Sequence, residues 1–289
     1  MWCRTRAGRL ARKDSAMKYG FIGIGKMGGA ILKGLLDSGK ISGSDVYICG
    51  RDFEKTKAQA EESGVTAVPT HQEITDISDM IIVGVEPKTF PEVMPKIAES
   101  YTSGKVVVSM AAGVTIESIE SYLGPDAKVI RIMPNAPARV GEMMASVSAN
   151  KNVSADELEM FADLLSGMGR AEIVPENLIS AVIGVSGSSP AYTYMYIKAL
   201  KEAAAEYGME KDAALTFAAQ AVLGSAKIVL EECCGENAKT DIDTLIDNVC
   251  TPGGTTIEAV KTLRENGFED LVKKGASAAI EKSISMSRK

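Results

Sequence analysis

The chain has 289 residues, of which 45% are hydrophobic and 24% are charged, and its formal net charge is −6. A chain of this length can bury a sizeable core in one large domain or two, and its ordinary composition does not indicate disorder. Its acidic balance argues against nucleic-acid binding, and it contains no run of about 18 uncharged apolar residues that would cross a membrane. We therefore expect a globular protein that binds neither nucleic acid nor a membrane.

The first 16 residues differ from the rest because they hold five basic side chains against one acidic side chain, Asp14. We expect residues 1–16 to be a disordered leader or to belong to an upstream start, although a transit peptide has a similar composition. The five cysteines form no Cys-x-x-Cys pair, and the single histidine, His71, cannot share a metal site with a second one. These features indicate a cytoplasmic location and no bound metal.

Short runs rich in isoleucine and valine alternate with helical segments from residue 18 to about residue 149. The runs lack polar alternation, as strands buried on both faces do; they are Tyr19–Ile24, Val46–Cys49, Met80–Val85, Lys105–Ser109 and Lys128–Ile132. Helical spacing of apolar residues marks Met27–Asp37, Phe53–Ser63, Pro91–Tyr101 and Thr115–Leu123. This repeated strand–helix order predicts a parallel, doubly wound sheet.

The rest of the chain is almost entirely helix-forming. A capping box at Ser154–Glu157 predicts a helix that runs to Met168. Further helices are expected at Ala191–Tyr207, Lys211–Cys233, Asp241–Cys250, Thr256–Glu265 and from Glu269 to the end. They are apolar around much of their circumference, notably over Ala213–Leu230, which a monomer of this size would struggle to bury. We predict a sheet domain over residues 17–176 and a helical domain over 177–289 that packs against another chain.

A Gly-x-Gly-x-x-Gly motif, Gly23-Ile-Gly-Lys-Met-Gly28, lies between the first predicted strand and the first predicted helix. Gly23 permits a tight turn, Gly25 lets the backbone approach a pyrophosphate, and Gly28 lets the helix pack on the strand. The unpaired N–H groups at the start of that helix favour an anion. The motif in this position predicts a dinucleotide-binding site, with glycines that serve packing alone as the alternative.

The residues after the second predicted strand indicate which dinucleotide is bound. An acid at this place would bind the ribose 2′-hydroxyl of NAD, but the sequence has Gly50 there, followed by Arg51. An arginine forms charge-assisted hydrogen bonds with a 2′-phosphate, so NADPH is favoured and NADH stays possible. The alternative is that Arg51 is only a solvated side chain. Asp52 is expected to cap the second helix, and His71 either borders the adenine or is a lone surface histidine.

A second glycine-rich turn, Cys250-Thr-Pro-Gly-Gly-Thr-Thr256, precedes a predicted helix. Thr255 and Glu258 have the spacing of a capping box, and the amides of such a turn can form a nest for an anion such as a substrate carboxylate. The Thr256 hydroxyl can donate or accept a hydrogen bond. The alternative is a plain helix cap without a ligand.

Three segments resemble the signatures of pyrroline-5-carboxylate reductases. They are Arg131-Ile-Met-Pro-Asn-Ala-Pro137, Ser186-Gly-Ser-Ser-Pro-Ala-Tyr192 and Asp247-Asn-Val-Cys-Thr-Pro-Gly-Gly-Thr-Thr256, and the resemblance extends from Met17 to about Ser287. It implies an α/β fold with an N-terminal Rossmann-type doubly wound parallel sheet and an all-helical C-terminal dimerisation domain. The implied activity is the NADPH-dependent reduction of 1-pyrroline-5-carboxylate, a small cyclic imine, to L-proline by a homo-oligomer built from dimers.

The resemblance also implies roles for individual residues. The catalytic residue would be Thr256, which hydrogen-bonds the ring nitrogen of the substrate. Substrate contacts would come from Ser186, Asn248, Thr251, Gly253, Gly254 and Thr255. Cofactor contacts would come from Ile22, Gly23, Gly25, Lys26, Met27, Gly28, Gly50, Arg51, His71, Val85, Glu86, Pro87, Ala111, Ala112 and Asn135. Asn135 is expected near the nicotinamide ribose, with a turn residue between two prolines as the alternative, and the two alanines would leave room for the nicotinamide ring.

Two positions depart from the family pattern. Glu86 stands where a lysine is common, so backbone contacts with the cofactor are expected there more than side-chain contacts. Ser189 replaces the second glycine of a Ser-Gly-Ser-Gly-Pro pattern. One alternative function is a related β-hydroxyacid-type dehydrogenase or imine reductase, for which Lys198 and Lys201 are available on a helix. The other is a non-catalytic NADP-binding protein.

Overall fold

The first part of the chain folds into strands and helices, and the part that follows is helical. A computed structural model describes residues 17–287, so the predicted leader at 1–16 lies outside the described residues. The strands are β1 (Tyr19–Ile22), β2 (Val46–Cys49), β3 (Thr66–Ala67), β4 (Met80–Val83), β5 (Val106–Ser109), β6 (Lys128–Met133), β7 (Met143–Ala149) and β8 (Gly169–Ile173). The helices are α1 (Lys26–Asp37), α2 (Phe53–Ser63), α3 (His71–Ile77), α4 (Phe90–Ala98), α5 (Ile116–Leu123), α6 (Ala155–Ser166), α7 (Ile179–Val182), α8 (Ser189–Glu206), α9 (Lys211–Glu232), α10 (Ile242–Val249), α11 (Thr255–Glu265) and α12 (Phe268–Ser287).

The eight strands of the described chain form one sheet in the order β3-β2-β1-β4-β5-β6-β7-β8. β1 to β6 are mutually parallel, whereas β7 runs antiparallel to β6 and β8 runs parallel to β7. The first six strands have the 3-2-1-4-5-6 order of dinucleotide-binding folds. Because Ile22 is in register with both Cys49 and Val83, the carboxyl ends of β1, β2 and β4 meet at one edge of the sheet.

Helices cover both faces of this sheet. One face packs on α1, α2 and α6, where Ile31 and Leu165 are buried, and the other packs on α3, α4 and α5, where Ile74 and Met94 are buried. All residues of β1, β4 and β5 are buried, which is why their sequences are continuous apolar runs. Each fully buried isoleucine or leucine stabilises the fold by about 1.5–3 kcal/mol. The sheet half therefore has a complete core of its own.

The helices after α7 bury little within one chain. α8, α10 and α11 contain no buried residue, and α9 buries only Ala214 and Ala218. Large apolar side chains stay exposed, including Phe217 at 69% and Leu271 at 68%. Judged by length and composition alone, α9 is the one described helix that is long and apolar enough to cross a membrane, with a mean hydropathy of 1.6. The same composition suits a helix that another subunit covers.

Contacts between Cα atoms divide the chain into two units. The described residues of the first are 17–190 and 278–287, and those of the second are 191–277. Residues 177–190 are linked to the segment after β6 by the 3.2 Å hydrogen bond from Asn135 Nδ2 to Ser186 Oγ, and to residues 278–287 by the 3.1 Å hydrogen bond between Ser180 Oγ and Ser283 Oγ. The predicted domain limits of 17–176 and 177–289 follow the sequence composition and stay a prediction.

Five elements, β3, β7, β8, α3 and the four-residue α7, have no counterpart among the predicted elements. β3 has two residues and α3 seven, which is too short for a periodic signal. β7 is built from alanine, serine and methionine rather than from isoleucine and valine, and β8 alternates between half-buried and exposed residues. Conversely, β1 ends at Ile22 and β4 at Val83, earlier than the predicted ends at Ile24 and Val85, and Gly23 after β1 has a φ of +84°.

Candidate active site

The turn after β1 uses glycine for two different reasons. Gly23 has a φ of +84°, and a Cβ atom on Gly28 would lie 2.5 Å from the Gly23 carbonyl oxygen, so the backbone itself requires both glycines. A Cβ atom on Gly25 would meet no atom within 4 Å. Packing within the protein therefore does not require Gly25, and the open space beside it can admit a ligand.

The first turn of α1 offers unpaired amides to that space. Gly25 is the N-cap residue without a side-chain hydrogen bond, and the first turn carries no acidic residue. The Gly29 N–H donates to the Gly25 carbonyl at 2.8 Å. The N–H groups of Lys26, Met27 and Gly28 thus precede the hydrogen bonds within the helix, and with the helix dipole they suit a pyrophosphate.

The end of β2 leaves no room for the acid that NAD-specific proteins use. A Cβ atom on Gly50 would lie 2.6 Å from Thr56 Oγ1, whose hydroxyl donates to the Asp52 carbonyl at 2.7 Å. The Asp52 carboxylate accepts a hydrogen bond from the Lys55 N–H at 3.1 Å, which confirms the predicted cap of α2. The Arg51 side chain is exposed at this point. Its guanidinium is accessible to a 2′-phosphate.

The loop after β4 lies against the same turn. A Cβ atom on Gly23 would lie 2.8 Å from Val85 Cγ1, so Val85 packs directly on the glycine-rich turn. Glu86 Oε2 forms an exposed ion pair of 2.7 Å with Lys88 Nζ. The hydrogen bond and charge of Lys88, and then the charge of Arg51, lower the pKa of Glu86. Arg51 and Glu86 therefore contribute opposite charges to the edge where the predicted cofactor contacts cluster.

His71 is the first residue of α3 and is half-buried. Burial, and then the positive charge of Lys96, lower the pKa of His71, so its imidazole is neutral at neutral pH. Pro87 starts a short 3-10 turn that leads into α4. The cofactor roles of His71 and Pro87 stay predictions.

Of the three predicted contacts to the nicotinamide half of the cofactor, Ala111 and Asn135 form hydrogen bonds within the protein. Ala111 is buried at 2% exposure, and its N–H donates to Ser109 Oγ at 3.2 Å. Ala112, beside it, is half-buried. The Asn135 side chain is buried and hydrogen-bonded at both its nitrogen and its oxygen. Asn135 therefore has more than the role of a turn residue, but its contacts are with protein groups.

The second glycine-rich turn precedes α11 in the helical unit. The Gly254 N–H donates to the Thr251 carbonyl at 2.9 Å, and Gly253 has a φ of +74°, as the third residue of a type II turn requires. The N-cap is Gly254, and no side chain caps the helix. The predicted capping box of Thr255 and Glu258 is therefore wrong, because the helix starts one residue earlier and places a glycine at the cap.

Because the N-cap residue of α11 has no side chain, it cannot cap the first N–H groups of the helix. The amides of Thr255, Thr256 and Ile257 precede the hydrogen bonds of the helix, and no side-chain oxygen of the N-cap residue occupies them. Thr256 is half-buried, whereas Thr251 and Asn248, at the end of α10, are exposed. This geometry suits an anion near the Thr256 hydroxyl. Ser186, the remaining predicted substrate contact, belongs to the unit that contains the sheet.

A partly buried ion pair between Arg131 and Glu176 supports the strand that leads to the loop after β6. Arg131 Nη1 lies 2.7 Å from Glu176 Oε1, and the same carboxylate oxygen accepts the Ile116 N–H at 2.8 Å. Glu176 thus ties the strand that leads to Asn135 to the start of α5. A charged residue within the apolar strand Lys128–Met133 is the sequence signal of such a pair.

Comparison with known proteins identifies the family. Residues 176–286 match a family described as pyrroline-5-carboxylate reductase dimerisation, and residues 18–113 match one described as NADP oxidoreductase, coenzyme F420-dependent. The chain is 42% identical over 271 residues to pyrroline-5-carboxylate reductase from Escherichia coli, covering 94% of this chain and 98% of that protein. The chain belongs to the pyrroline-5-carboxylate reductase family. The resemblance drawn from the three motifs is therefore confirmed.

Solved structures of the family have the same fold. A pyrroline-5-carboxylate reductase from Coxiella burnetii is 29% identical, with a TM-score of 0.86 over 94% of this chain and 99% of that one. A pyrroline carboxylate reductase from Plasmodium falciparum, solved with NADP bound, is 26% identical with a TM-score of 0.82, over 94% of this chain and 98% of that one. These likenesses confirm the predicted fold class. The dimerisation match includes α9, so its exposed apolar surface belongs to a dimerisation domain.

Proposed function

We propose that this protein reduces 1-pyrroline-5-carboxylate to L-proline with NADPH, the last step of proline biosynthesis. The observation that carries the proposal is the match of nearly the whole chain to pyrroline-5-carboxylate reductases. Two helix starts with unpaired amides support it, because the reaction needs one site for a pyrophosphate and one for a carboxylate. NADPH is the expected cofactor, and NADH is the possible alternative.

The residues of this chain would act mainly by placement. The amides of the Thr251–Thr256 turn would bind the substrate carboxylate, and the Thr256 hydroxyl would hold the ring nitrogen. The amides of Lys26, Met27 and Gly28 would bind the pyrophosphate, and Arg51 the 2′-phosphate. When bound, NADPH supplies the hydride. Placement of this kind contributes roughly 7–11 kcal/mol in favourable cases.

The substrate can enter with its nitrogen already protonated. An iminium ion carries the proton that the product amine needs, so the reaction does not require a general acid from the protein. This chemistry suits a chain with one histidine, His71, which lies at the start of α3. The chain's contribution is then to bind, to orient and to hold the charged nitrogen at Thr256 Oγ1.

The assembly and the location are part of the proposal. The dimerisation domain and the exposed apolar side chains of α8 to α12 support a homodimer, from which larger homo-oligomers would be built. We place the enzyme in the cytoplasm, without membrane or nucleic-acid partners. Apolar contact with a second copy would cover α9, which accounts for its composition.

The test is a spectrophotometric assay of NADPH oxidation with 1-pyrroline-5-carboxylate. We expect turnover with NADPH, weaker turnover with NADH, and proline as the product. Piperideine-6-carboxylate measures tolerance for a six-membered ring, and a β-hydroxy acid with NADP⁺ tests the alternative dehydrogenase. NADPH binding without turnover of any imine would contradict the proposal and favour a non-catalytic NADP-binding protein.

A further inference from the structure

The Asn135 side chain joins three segments of the sheet unit. Its Oδ1 accepts a hydrogen bond from the Met144 N–H at 2.9 Å, and its Nδ2 donates to the Ser186 carbonyl at 3.3 Å and to Ser186 Oγ at 3.2 Å. Asn135 is only 8% exposed. Because the Met144 N–H can only donate, the amide oxygen must face it and the amide nitrogen must face Ser186. The amide orientation is thus fixed by its partners.

Ser186 lies in a local irregularity of the helix. Ile183–Gly187 forms a π-helical turn, closed by a 2.8 Å hydrogen bond from the Ser188 N–H to the Ile183 carbonyl. Such turns are frequent at functional sites. The Ser186 carbonyl would be paired by the N–H four residues later in a regular helix, but that residue is Pro190, which has none. Asn135 Nδ2 donates to this carbonyl at 3.3 Å in its place, beside a longer hydrogen bond of 3.5 Å from Ser189 Oγ.

The direction of the hydrogen bond between Asn135 and Ser186 determines whether the Ser186 hydroxyl is left to donate or to accept. A serine hydroxyl has one proton to donate and two lone pairs to accept with. Asn135 Nδ2 donates, so it uses a lone pair of Ser186 Oγ and leaves the proton unused. Within residues 17–287, no protein acceptor takes that proton. The half-buried Ser186 hydroxyl can therefore donate its proton to a ligand bound beside it.

We propose that Asn135 is a positioning residue that orients the Ser186 hydroxyl to donate a hydrogen bond to an oxygen of the substrate. This inference rests on the proposed function, because the pyrroline carboxylate supplies the accepting oxygen. It replaces the expected contact of Asn135 with the nicotinamide ribose, since both ends of the amide are engaged by protein groups. Of these two residues, Ser186 contacts the substrate and Asn135 acts through it.

The test uses a substitution that inverts the contact. Asn135→Asp keeps an oxygen for the Met144 N–H but places a second oxygen against Ser186, so the hydroxyl proton turns inward. At a pH where the introduced carboxyl is ionised, the KM for 1-pyrroline-5-carboxylate should rise roughly tenfold to a hundredfold, as for loss of a hydrogen bond to a charged group. The Kd for NADPH, from quenching of protein fluorescence, should stay within about twofold of the parent value.

Asn135→Ala separates positioning from stability. Alanine removes both hydrogen bonds and leaves a cavity, so it should lower Tm more than Asn135→Asp does. It leaves the Ser186 hydroxyl free to rotate, so it should raise KM less than Asn135→Asp does. A merely structural role predicts the same order for Tm and KM, which would overturn the proposal. Should Asn135→Asp fail to fold, a rise in KM for Asn135→Ala that disappears in the Ser186→Ala background tests the same coupling.

Asn150→Asp is the matched control. Asn150 Oδ1 accepts the Val129 N–H at 3.2 Å, and Nδ2 donates to Glu120 Oε1 at 2.7 Å, so its side chain is held like that of Asn135 but has no assigned role in binding. This variant should lower Tm without changing KM. A raised Kd for NADPH with an unchanged KM in Asn135→Asp would instead identify Asn135 as a cofactor ligand. Failure of the parent protein to turn over the imine would reject the proposed function separately, before any variant is compared.

Discussion

The sheet half and the helical half of this chain shield their apolar residues in different ways. Every residue of β1, β4 and β5 is buried within the chain, whereas α8, α10 and α11 contain no buried residue at all. The family match for dimerisation covers residues 176–286, which include α8 to α11 and all of α12 except its last residue. One chain is therefore enough to form the cofactor-binding half, but two are needed to complete the other.

Among the variants that test this difference between the two halves, Phe217→Asp should have the largest effect. Phe217 is 69% exposed on α9, and a charge buried at a subunit contact without a partner costs several kcal/mol. In a symmetric dimer each substitution acts twice. We expect light scattering to show a monomer and the activity to fall with it. Phe217→Leu should keep the dimer mass.

The matching experiment in the sheet half uses Val140→Asp. Val140 is 75% exposed, so its exposure is at least as large as that of Phe217. Because the sheet half completes its own core, this charge should leave the mass unchanged. A monomer from Val140→Asp together with a dimer from Phe217→Asp would reverse the assignment of the two halves.

Gly25→Ala and Gly28→Ala should separate ligand space from packing space. At Gly25 the φ of −68° suits alanine and no atom lies within 4 Å of the new Cβ, so Tm should not change. The methyl group would obstruct the pyrophosphate, and the Kd for NADPH should rise roughly a hundredfold if about 3 kcal/mol of charged hydrogen bonding is lost.

Gly28→Ala should lower both stability and NADPH affinity. Its Cβ atom would lie 2.5 Å from the Gly23 carbonyl oxygen, and overpacking of this kind costs typically about 1–3 kcal/mol. The test is to measure Tm by thermal melting and the Kd by NADPH titration for both variants. An unchanged NADPH affinity in Gly25→Ala would show that the space beside Gly25 is not used by the cofactor.

Thr256→Ala tests the helical half at its chemical site. Loss of one hydrogen bond to a charged nitrogen should lower kcat/KM roughly tenfold to a hundredfold, the equivalent of about 1.5–3 kcal/mol. Thr256→Ser should recover most of the loss. Thr262→Ala is the control on the same helix, because its hydroxyl donates to the Glu258 carbonyl at 2.9 Å and has no assigned role. Equal rates for the parent and Thr256→Ala would remove Thr256 from the mechanism.

The sequence predicts the elements whose signal is local and misses those that depend on neighbours. The buried strands β1, β4 and β5 and the cap at Asp52 are apparent from apolar runs and from one side chain. β7 is not, because its serines and alanines become a strand only beside β6. Likewise, the position of Asn135 in a motif marks it as important, but the sequence does not show that its side chain pairs with Met144 in the next strand and with Ser186, which is 51 residues away along the chain. Motifs locate functional residues, whereas polarity and orientation require the fold.

Arg51→Ala should have the smallest effect, because its side chain is exposed and water screens the interaction. We expect the KM for NADPH to rise about fivefold, the size of an exposed charge interaction of about 1 kcal/mol, and the KM for NADH to change little. Glu86→Gln should shift the preference the other way by a smaller factor, since it removes a negative charge from the same edge. Lys55→Ala on α2 is the control for general loss of positive charge. Equal losses with both cofactors in Arg51→Ala would reject a 2′-phosphate contact, and the preference for NADPH would then have to come from elsewhere in the sheet half.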